Sequence, residues 1–250
     1  MPLPAVLFED DVLIAFDKPS GLLVAPDRRD PRGETLLALV RAQLGPDLAN
    51  VHRLEPEVSG LVLYAKTKAA LDFLSGQFQS KSVVKTYLAL TVGVPPDEEF
   101  AVEVYMKEDE GRPGVMCTVK KHGEASRTEF QVREKYPAAA GRPGFALVEG
   151  RPETSRPHQI RLHLAETGTP LLNDTVYGDG TELLLSGLKR GYKGREDEKP
   201  LITRLALHAA GLTFKHPLTR EPFTLQAPLP NDMEVALKYL RKFSAGAGRR

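Results

Sequence analysis

Segments rich in apolar and β-branched residues, bounded by Gly and Pro, recur along most of the chain. Residues 6–16 (VLFEDDVLIAF) place two apolar stretches around an acidic turn, which predicts a pair of strands. Further strands are predicted at residues 61–64, 83–93, 100–135, 145–149, 205–212 and 223–227. Many strands without a regular strand–helix–strand alternation predict an α+β fold with a mixed, largely antiparallel sheet and flanking helices.

Helical spacing of apolar residues occurs in fewer segments. In the clearest one, Leu71, Leu74 and Phe78 fall at i, i+3 and i+7 behind Thr67, a predicted N-cap. Other helices are predicted at residues 35–44, 159–165 and 232–243. The chain is long enough to bury a core without disulfides, so we expect one domain over residues 1–250 with its core at about residues 6–243.

Two segments are expected to lie outside the packed core. Residues 178–200 are rich in glycine and charge, which predicts a mobile surface loop. Residues 244–250 (SAGAGRR) predict a frayed tail.

Composition limits the class of protein. A hydrophobic content of 41% and a charged content of 27% are typical of soluble globular proteins. The single cysteine, Cys117, excludes a disulfide framework and a cysteine-based zinc site, and suits a reducing compartment. Neither a signal peptide nor an apolar run of about 18 residues is present, so we expect a cytoplasmic protein without a membrane span.

Charge gives no indication of the partner by itself, because 34 basic residues nearly balance 33 acidic ones. A site for a polyanion must therefore come from local clusters. The candidate basic residues are Arg28, Arg29 and Arg32, then Lys120, Lys121 and Arg127, then Lys189, Arg190, Lys193 and Arg195. Each cluster alone is more often solvated surface charge.

A dense polar stretch, HRLEPEVSG at residues 52–60, leads into the apolar segment LVLY. Its plainest interpretation is a surface loop with ion pairs. The carboxylates Glu55 and Glu57 also raise the alternative of a glycoside hydrolase, although such acid pairs usually lie on separate elements that flank the substrate.

A second polar stretch, residues 151–163, contains four basic groups within eight positions. They are Arg156, His158, Arg161 and His163. The i, i+5 spacing of the two histidines diverges on a helix and no cysteine joins them, so we expect no metal here. Arg161 alone suits either a structural ion pair or a bond to an active-site carboxylate.

Several long motifs together resemble the RluA-type pseudouridine synthases. They are EDDVLIAFDKPSGLLV, HRLEPEVSGLVLYAKT, KTYLAL, RPETSRPHQIRLHLA and LHAAGLTFKHPLTREPFTLQAPLP, and their order holds from about residue 6 to residue 230. The resemblance implies an enzyme that converts uridine to pseudouridine in ribosomal or transfer RNA, without cofactor or metal, in a central RNA-binding cleft. It covers nearly the whole chain.

The resemblance also implies roles for individual residues. Glu55 stands where the family pattern HRLD has the catalytic aspartate, Tyr87 matches the tyrosine that packs on the flipped base, and Arg161 matches the arginine that pairs with the catalytic carboxylate. Arg53 matches the arginine that fills the space left by the extracted base. The neighbouring basic side chains expected to contact RNA are His52, Arg156 and His158.

The chain departs from the family pattern at three motif positions. Glu55 carries one methylene more than aspartate, which moves the carboxylate by about 1 Å, and such a displacement can cost roughly 10²-fold in rate. Ser155 stands where glycine is usual, which costs on the order of 1 kcal/mol if the position needs a positive φ. Asn173 also replaces a glycine, but asparagine tolerates the left-handed region.

The motifs begin near residue 6, so we expect no RNA-binding module ahead of the catalytic domain. We expect a monomer that grips RNA through the catalytic domain. The alternative to an active synthase is a silent or weak RNA-binding homologue that keeps the fold.

Overall fold

A computed structural model describes residues 2–26, 34–138, 141–189, 191–192 and 194–244. The chain divides into two compact units. The first comprises Met1–Tyr87 and His208–Pro228, and the second comprises Leu88–Leu207 and Leu229–Arg250.

The first unit is built on strands β1, β2, β4 and β10, neighbours in that order. Its elements are β1 (Val6–Glu9), β2 (Leu13–Lys18), α1 (Leu36–Leu44), β3 (Ala49–Asn50), β4 (Ser59–Ala65), α2 (Lys68–Gln79), the first residues of β5 (Val84–Val92), β10 (Leu207–Lys215) and β11 (Pro222–Gln226). β4 and β10 are parallel, and the pairs β1–β2, β2–β4, β3–β4 and β10–β11 are antiparallel.

The core of the first unit lies between this sheet and α2. Alternate residues of β4, Leu61, Leu63 and Ala65, face the buried side of α2, where Leu74 is 0% exposed. Fully burying a leucine contributes roughly 1.5–3 kcal/mol, so these positions account for much of the unit's stability. Apolar residues thus repeat every second position in β4, and α2 has the helical spacing of apolar residues predicted after Thr67. Thr67 caps α2, because its side chain accepts the Ala70 N–H at 3.2 Å.

The second unit is built on an antiparallel sheet in the order β9, β8, β6, β7. Its elements are β6 (Glu99–Glu108), β7 (Met116–Val119), β8 (Glu124–Tyr136), β9 (Phe145–Pro152), α3 (Gln159–Glu166), α4 (Leu185–Leu188) and α5 (Asn231–Ser244). Met233, Leu237 and Leu240 of α5 pack with Tyr136 and Leu147 of the sheet. The predicted α+β class with a mixed, largely antiparallel sheet and flanking helices is confirmed.

The segment expected to be a mobile loop, residues 178–200, contains a short helix instead of only coil. Leu183 and Leu188 are 2% and 5% exposed and join the core of the second unit. The Glu198 carboxylate accepts the Ser186 N–H at 2.8 Å, at the start of α4. The sequence pattern did not predict this packing, because glycine and charge outnumber the buried leucines. Of the expected tail, only Ser244 is described, as the last residue of α5.

None of the described helices has the length and apolar content needed to cross a bilayer. The described residues also contain no cluster of three or more His, Cys, Asp or Glu side chains suited to holding a metal ion.

Candidate active site

Glu55 lies in the first unit, in the loop between β3 and β4. Leu54 and Val58 are buried on either side of it, with 8% and 2% exposure, whereas Arg53 and Glu57 are exposed. The Val58 N–H donates to the Glu55 carbonyl at 3.2 Å and closes a turn. The two buried side chains fix the loop, and Glu55 is left half-buried at its tip.

The turn that follows β2 holds the backbone immediately after Glu55. Lys18 is fully buried, and its Nζ donates to the Pro56 carbonyl at 3.0 Å and to the Leu22 carbonyl at 2.8 Å. The Gly21 N–H donates to the same Pro56 oxygen at 2.7 Å, and Ser20 Oγ donates to the Glu57 carbonyl at 2.7 Å. Bonds from an ammonium are among the stronger hydrogen bonds, so this loop has little freedom to shift.

His52 fixes the other end of the loop. Its Nε2 accepts the Leu63 N–H at 3.1 Å, and its ring stacks on Phe78 with centroids 5.3 Å apart. Burial, together with the Lys85 charge, lowers the pKa of His52 to about 4. The imidazole is therefore neutral at pH 7, and one ring nitrogen is engaged by the backbone. This geometry gives His52 a positioning role, and its predicted contact with RNA stays a prediction.

The start of β4 requires a glycine because β10 approaches it closely. Gly60 has φ +116°, and a Cβ there would lie 2.3 Å from the Ala209 carbonyl oxygen. Beside it, the buried Ser59 Oγ and His208 Nδ1 are 3.0 Å apart. The SG pair in the motif thus joins the Glu55 loop to β10.

Tyr87 belongs to the same unit as Glu55 and is electrostatically coupled to it. Burial raises the pKa of the Tyr87 phenol above its ordinary value, and the Glu55 carboxylate raises it further. A phenol whose pKa is raised in this way stays protonated near neutral pH. Two of the three predicted catalytic residues therefore lie in the first unit.

Arg161, the third predicted catalytic residue, lies in α3 of the second unit and is 5% exposed. Its Nε and Nη2 donate to the two oxygens of Asp174 at 2.8 and 2.9 Å. Asp174 also accepts the N–H groups of Val176 and Tyr177. Burial alone would raise the pKa of Asp174, but these bonds and the Arg161 charge hold it below its ordinary value.

Tyr177 connects this ion pair to His158. The Arg161 Cζ lies 5.3 Å from the centroid of the Tyr177 ring, and the Tyr177 hydroxyl is 2.8 Å from His158 Nδ1. His158 precedes α3 in the left-handed region, with φ 55°. The hydroxyl also accepts the Met116 N–H at 2.8 Å.

The sequence model of the RNA pseudouridylate synthase family matches residues 12–166, which include the Glu55 loop, Tyr87 and Arg161. The chain belongs to this family. It is 33% identical over 255 residues to ribosomal large subunit pseudouridine synthase D of Xanthomonas campestris pv. campestris, covering 97% of this chain and 71% of that relative. The RluA-type resemblance inferred from the motifs is thereby confirmed.

Two further comparisons agree with this family. Synthase D of Neisseria meningitidis serogroup A is 34% identical over 94% of this chain, which spans only 61% of that relative's length. The solved structure of human RNA pseudouridylate synthase domain containing 4 has 26% sequence identity and a TM-score of 0.68, covering 94% of this chain and 92% of that one. The likeness therefore extends over nearly the whole chain.

The backbone angles show whether two of the three departures from the pseudouridine synthase pattern cause strain. Asn173 has φ 60°, so the expectation that asparagine tolerates this turn is confirmed. Ser155 is not among the residues with positive φ, and the strain considered for a serine at this position therefore does not arise. The left-handed residue of this motif is His158, three positions later.

The remaining predicted basic contacts differ in how they are engaged. Arg156 pairs with Glu124, and its Nε donates to the Ala125 carbonyl at 3.3 Å. Arg127 pairs with Glu153 at 2.7 Å and with two further carboxylates. Lys120 and Lys121 are exposed. Several members of the other clusters lie outside the described residues: Arg28, Arg29, Arg32, Arg190 and Lys193.

Sequence reasoning missed three residues that organise this pseudouridine synthase site: Lys18, Asp174 and Tyr177. Lys18 stands at the end of an apolar strand, where a lysine usually reaches solvent. Asp174 is separated from Arg161 by 13 positions, so helical spacing gives no signal of their pairing. Lys18 lies in one of the quoted motifs, and Asp174 and Tyr177 lie in none of them.

Proposed function

We propose that this chain isomerises uridine to pseudouridine in RNA, with Glu55 as the catalytic carboxylate. The observation that carries the proposal is the match of the RNA pseudouridylate synthase family model to residues 12–166, which include Tyr87 and Glu55, the latter on a loop held by Lys18. The reaction breaks the bond from C1′ to N1 of the base and forms a bond from C1′ to C5. C5 loses its proton and N1 gains one, so no cofactor is consumed.

The base leaves with the electron pair of the C1′–N1 bond, so positive charge develops at C1′. The Glu55 carboxylate compensates this charge, either by attack or by electrostatic stabilisation, and is released when C1′ bonds to C5. Tyr87 remains a neutral phenol, so it offers the base an aromatic face and a hydroxyl that can donate to it.

We propose Arg161 as the third catalytic residue, as its place in the matched family segment implies. The bond to Asp174 uses Nε and Nη2, which is the side-on arrangement of a guanidinium. This two-point bond fixes the plane of the guanidinium within the second unit.

Arg53 is the residue proposed to occupy the space of the extracted uridine. It is exposed, next to the half-buried His52 and the buried Leu54, so its side chain projects from a fixed point of the loop. Arg156 and His158 are proposed as further RNA contacts. The relatives named ribosomal large subunit pseudouridine synthases support ribosomal RNA as the substrate class, and transfer RNA is the other class to test. The proposed site of the reaction is the cytoplasm.

The test is tritium release from RNA labelled at C5 of uridine, with ribosomal and transfer RNA assayed separately. We expect release by the wild type, none by Glu55→Gln, and wild-type release by Glu57→Gln. Glu57 is a matched control because it is an exposed carboxylate on the same loop. If the wild type releases no more tritium than Glu55→Gln on either RNA, the proposal is wrong. Retained RNA binding in that case indicates a silent homologue.

Glu55→Asp tests whether the site is adapted to the longer side chain. The loop is held at Pro56 by two hydrogen bonds, so its backbone has little freedom to compensate for an added methylene. We expect Glu55→Asp to raise kcat, by up to roughly 10²-fold for a shift of about 1 Å. An inactive Glu55→Asp beside an active wild type would show that the pocket has been reshaped around glutamate.

A further inference from the structure

Tyr177 contacts two residues of the proposed site with two different parts of its side chain. The ring lies under the Arg161 guanidinium, with the Cζ 5.3 Å from the centroid, which is within the range of a cation–π interaction. The hydroxyl lies 2.8 Å from His158 Nδ1. All three residues belong to the second unit.

The Tyr177 hydroxyl is held in place by a backbone group. The Met116 N–H donates to the Tyr177 oxygen at 2.8 Å. The same oxygen is hydrogen-bonded to His158 Nδ1, so the hydroxyl fixes the imidazole ring relative to the backbone at Met116.

The backbone at His158 shows that this ring position is maintained against a conformational cost. With φ 55°, His158 occupies a region that residues with a Cβ rarely adopt. The Tyr177 hydroxyl is a partner that compensates for this cost, since the edge-to-face ring contact with centroids 5.6 Å apart adds to the hydrogen bond.

The segment that carries Tyr177 is tied to Arg161 a second time. The Tyr177 N–H donates to Asp174 Oδ1 at 3.1 Å, and the same oxygen accepts from Arg161 Nη2 at 2.9 Å. The guanidinium is thus fixed in its plane by Asp174 and from one face by Tyr177.

We propose that Tyr177 is a positioning residue that aligns two groups at once: its ring orients Arg161, and its hydroxyl holds the His158 ring in place for contact with RNA. This inference rests on the proposed function. It assigns the ring to the chemical step and the hydroxyl to substrate binding.

The experiment separates the two parts of the side chain in the tritium-release assay. Tyr177→Phe keeps the ring and removes the hydroxyl, so we expect KM for RNA to rise about fivefold, the effect of one neutral hydrogen bond, with kcat unchanged. Tyr177→Leu removes both, so kcat should also fall by about tenfold or more, because Arg161 loses its alignment. Tyr105→Phe is the control, since Tyr105 is half-exposed on β6.

A double-mutant cycle tests the route through His158. His158→Asn removes the ring and suits the left-handed backbone. We expect Tyr177→Phe to raise KM in the wild type and to add nothing in the His158→Asn background. Equal effects in both backgrounds would overturn the role through His158, and a Tyr177→Phe variant with wild-type KM would overturn the hydroxyl's role.

Folding and the proposed function are controlled separately. Circular dichroism at the assay temperature confirms that each variant is folded, and the KM and kcat of Tyr177→Phe stay interpretable if Tyr177→Leu is not. A wild type without tritium release contradicts the proposed function. An active wild type with Tyr177→Phe and Tyr177→Leu both equal to Tyr105→Phe contradicts only the inference.

Discussion

His163 makes the stability of the second unit depend on pH. The side chain is fully buried, and Ser126 Oγ, which donates to the Val104 carbonyl at 2.8 Å, lies 2.9 Å from His163 Nε2. Nε2 therefore carries the proton, and the buried Nδ1 has no hydrogen-bond partner among the described residues. Burial lowers the pKa of His163 from 6.5 to about 4.

Whether acid stabilises or destabilises the fold depends on whether the folded or the unfolded chain binds the proton. Between pH 4 and 6.5 the unfolded chain binds a proton at this residue and the folded chain does not, so stability is full above pH 6.5 and falls towards pH 4. At about 1.4 kcal/mol for each pKa unit, we expect this residue to remove roughly 2 kcal/mol of the free energy of unfolding between pH 8 and pH 5.

Urea unfolding followed by circular dichroism at both pH values measures the effect. His163→Gln retains an N–H donor for Ser126 but does not titrate, so its loss of stability between pH 8 and pH 5 should be about 2 kcal/mol smaller than that of the wild type. His52 has a similarly lowered pKa and contributes equally to both proteins. The exposed His122→Asn is the control. Equal pH dependence of wild type and His163→Gln would refute the assignment.

Three further substitutions test the fold around the site by urea unfolding at pH 7.5. Gly60→Ala should cost about 3 kcal/mol or more, because its Cβ would lie 2.3 Å from the Ala209 oxygen at a φ of +116°; a loss below 1 kcal/mol would contradict the close approach. Asp174→Asn should cost about 3 kcal/mol, because it removes the carboxylate charge paired with the buried Arg161. Thr67→Ala should cost about 1 kcal/mol through loss of the α2 cap, and no loss would show that the cap is unimportant.

Local features of the fold could be predicted from the sequence because they depend on neighbouring residues. The cap at Thr67 and the left-handed Asn173 both follow from the chemistry of residues within a few positions. The packing of Leu183 and Leu188 could not, since a glycine- and charge-rich segment gives no periodic signal for the few leucines that reach the core.

The same distinction applies to the candidate site. Glu55, Tyr87 and Arg161 were found through long motifs, and the residues that hold them in place were not. Lys18 contacts Pro56 across 38 positions, and Asp174 contacts Arg161 from a turn outside its helix. Partners separated so far in sequence are determined by the tertiary fold, and a single sequence contains no spacing rule for them.

These supporting contacts also bear on the glutamate at position 55. The carbonyl of Pro56 is held by Lys18 and Gly21, and Arg161 is held by Asp174, each within its own unit. The backbone that carries Glu55 is thus fixed by partners within its own unit, and so is the Arg161 guanidinium. An added methylene at position 55 must then be absorbed by the side-chain torsions of Glu55 itself, and ordering this longer side chain costs more rotamer freedom than ordering an aspartate.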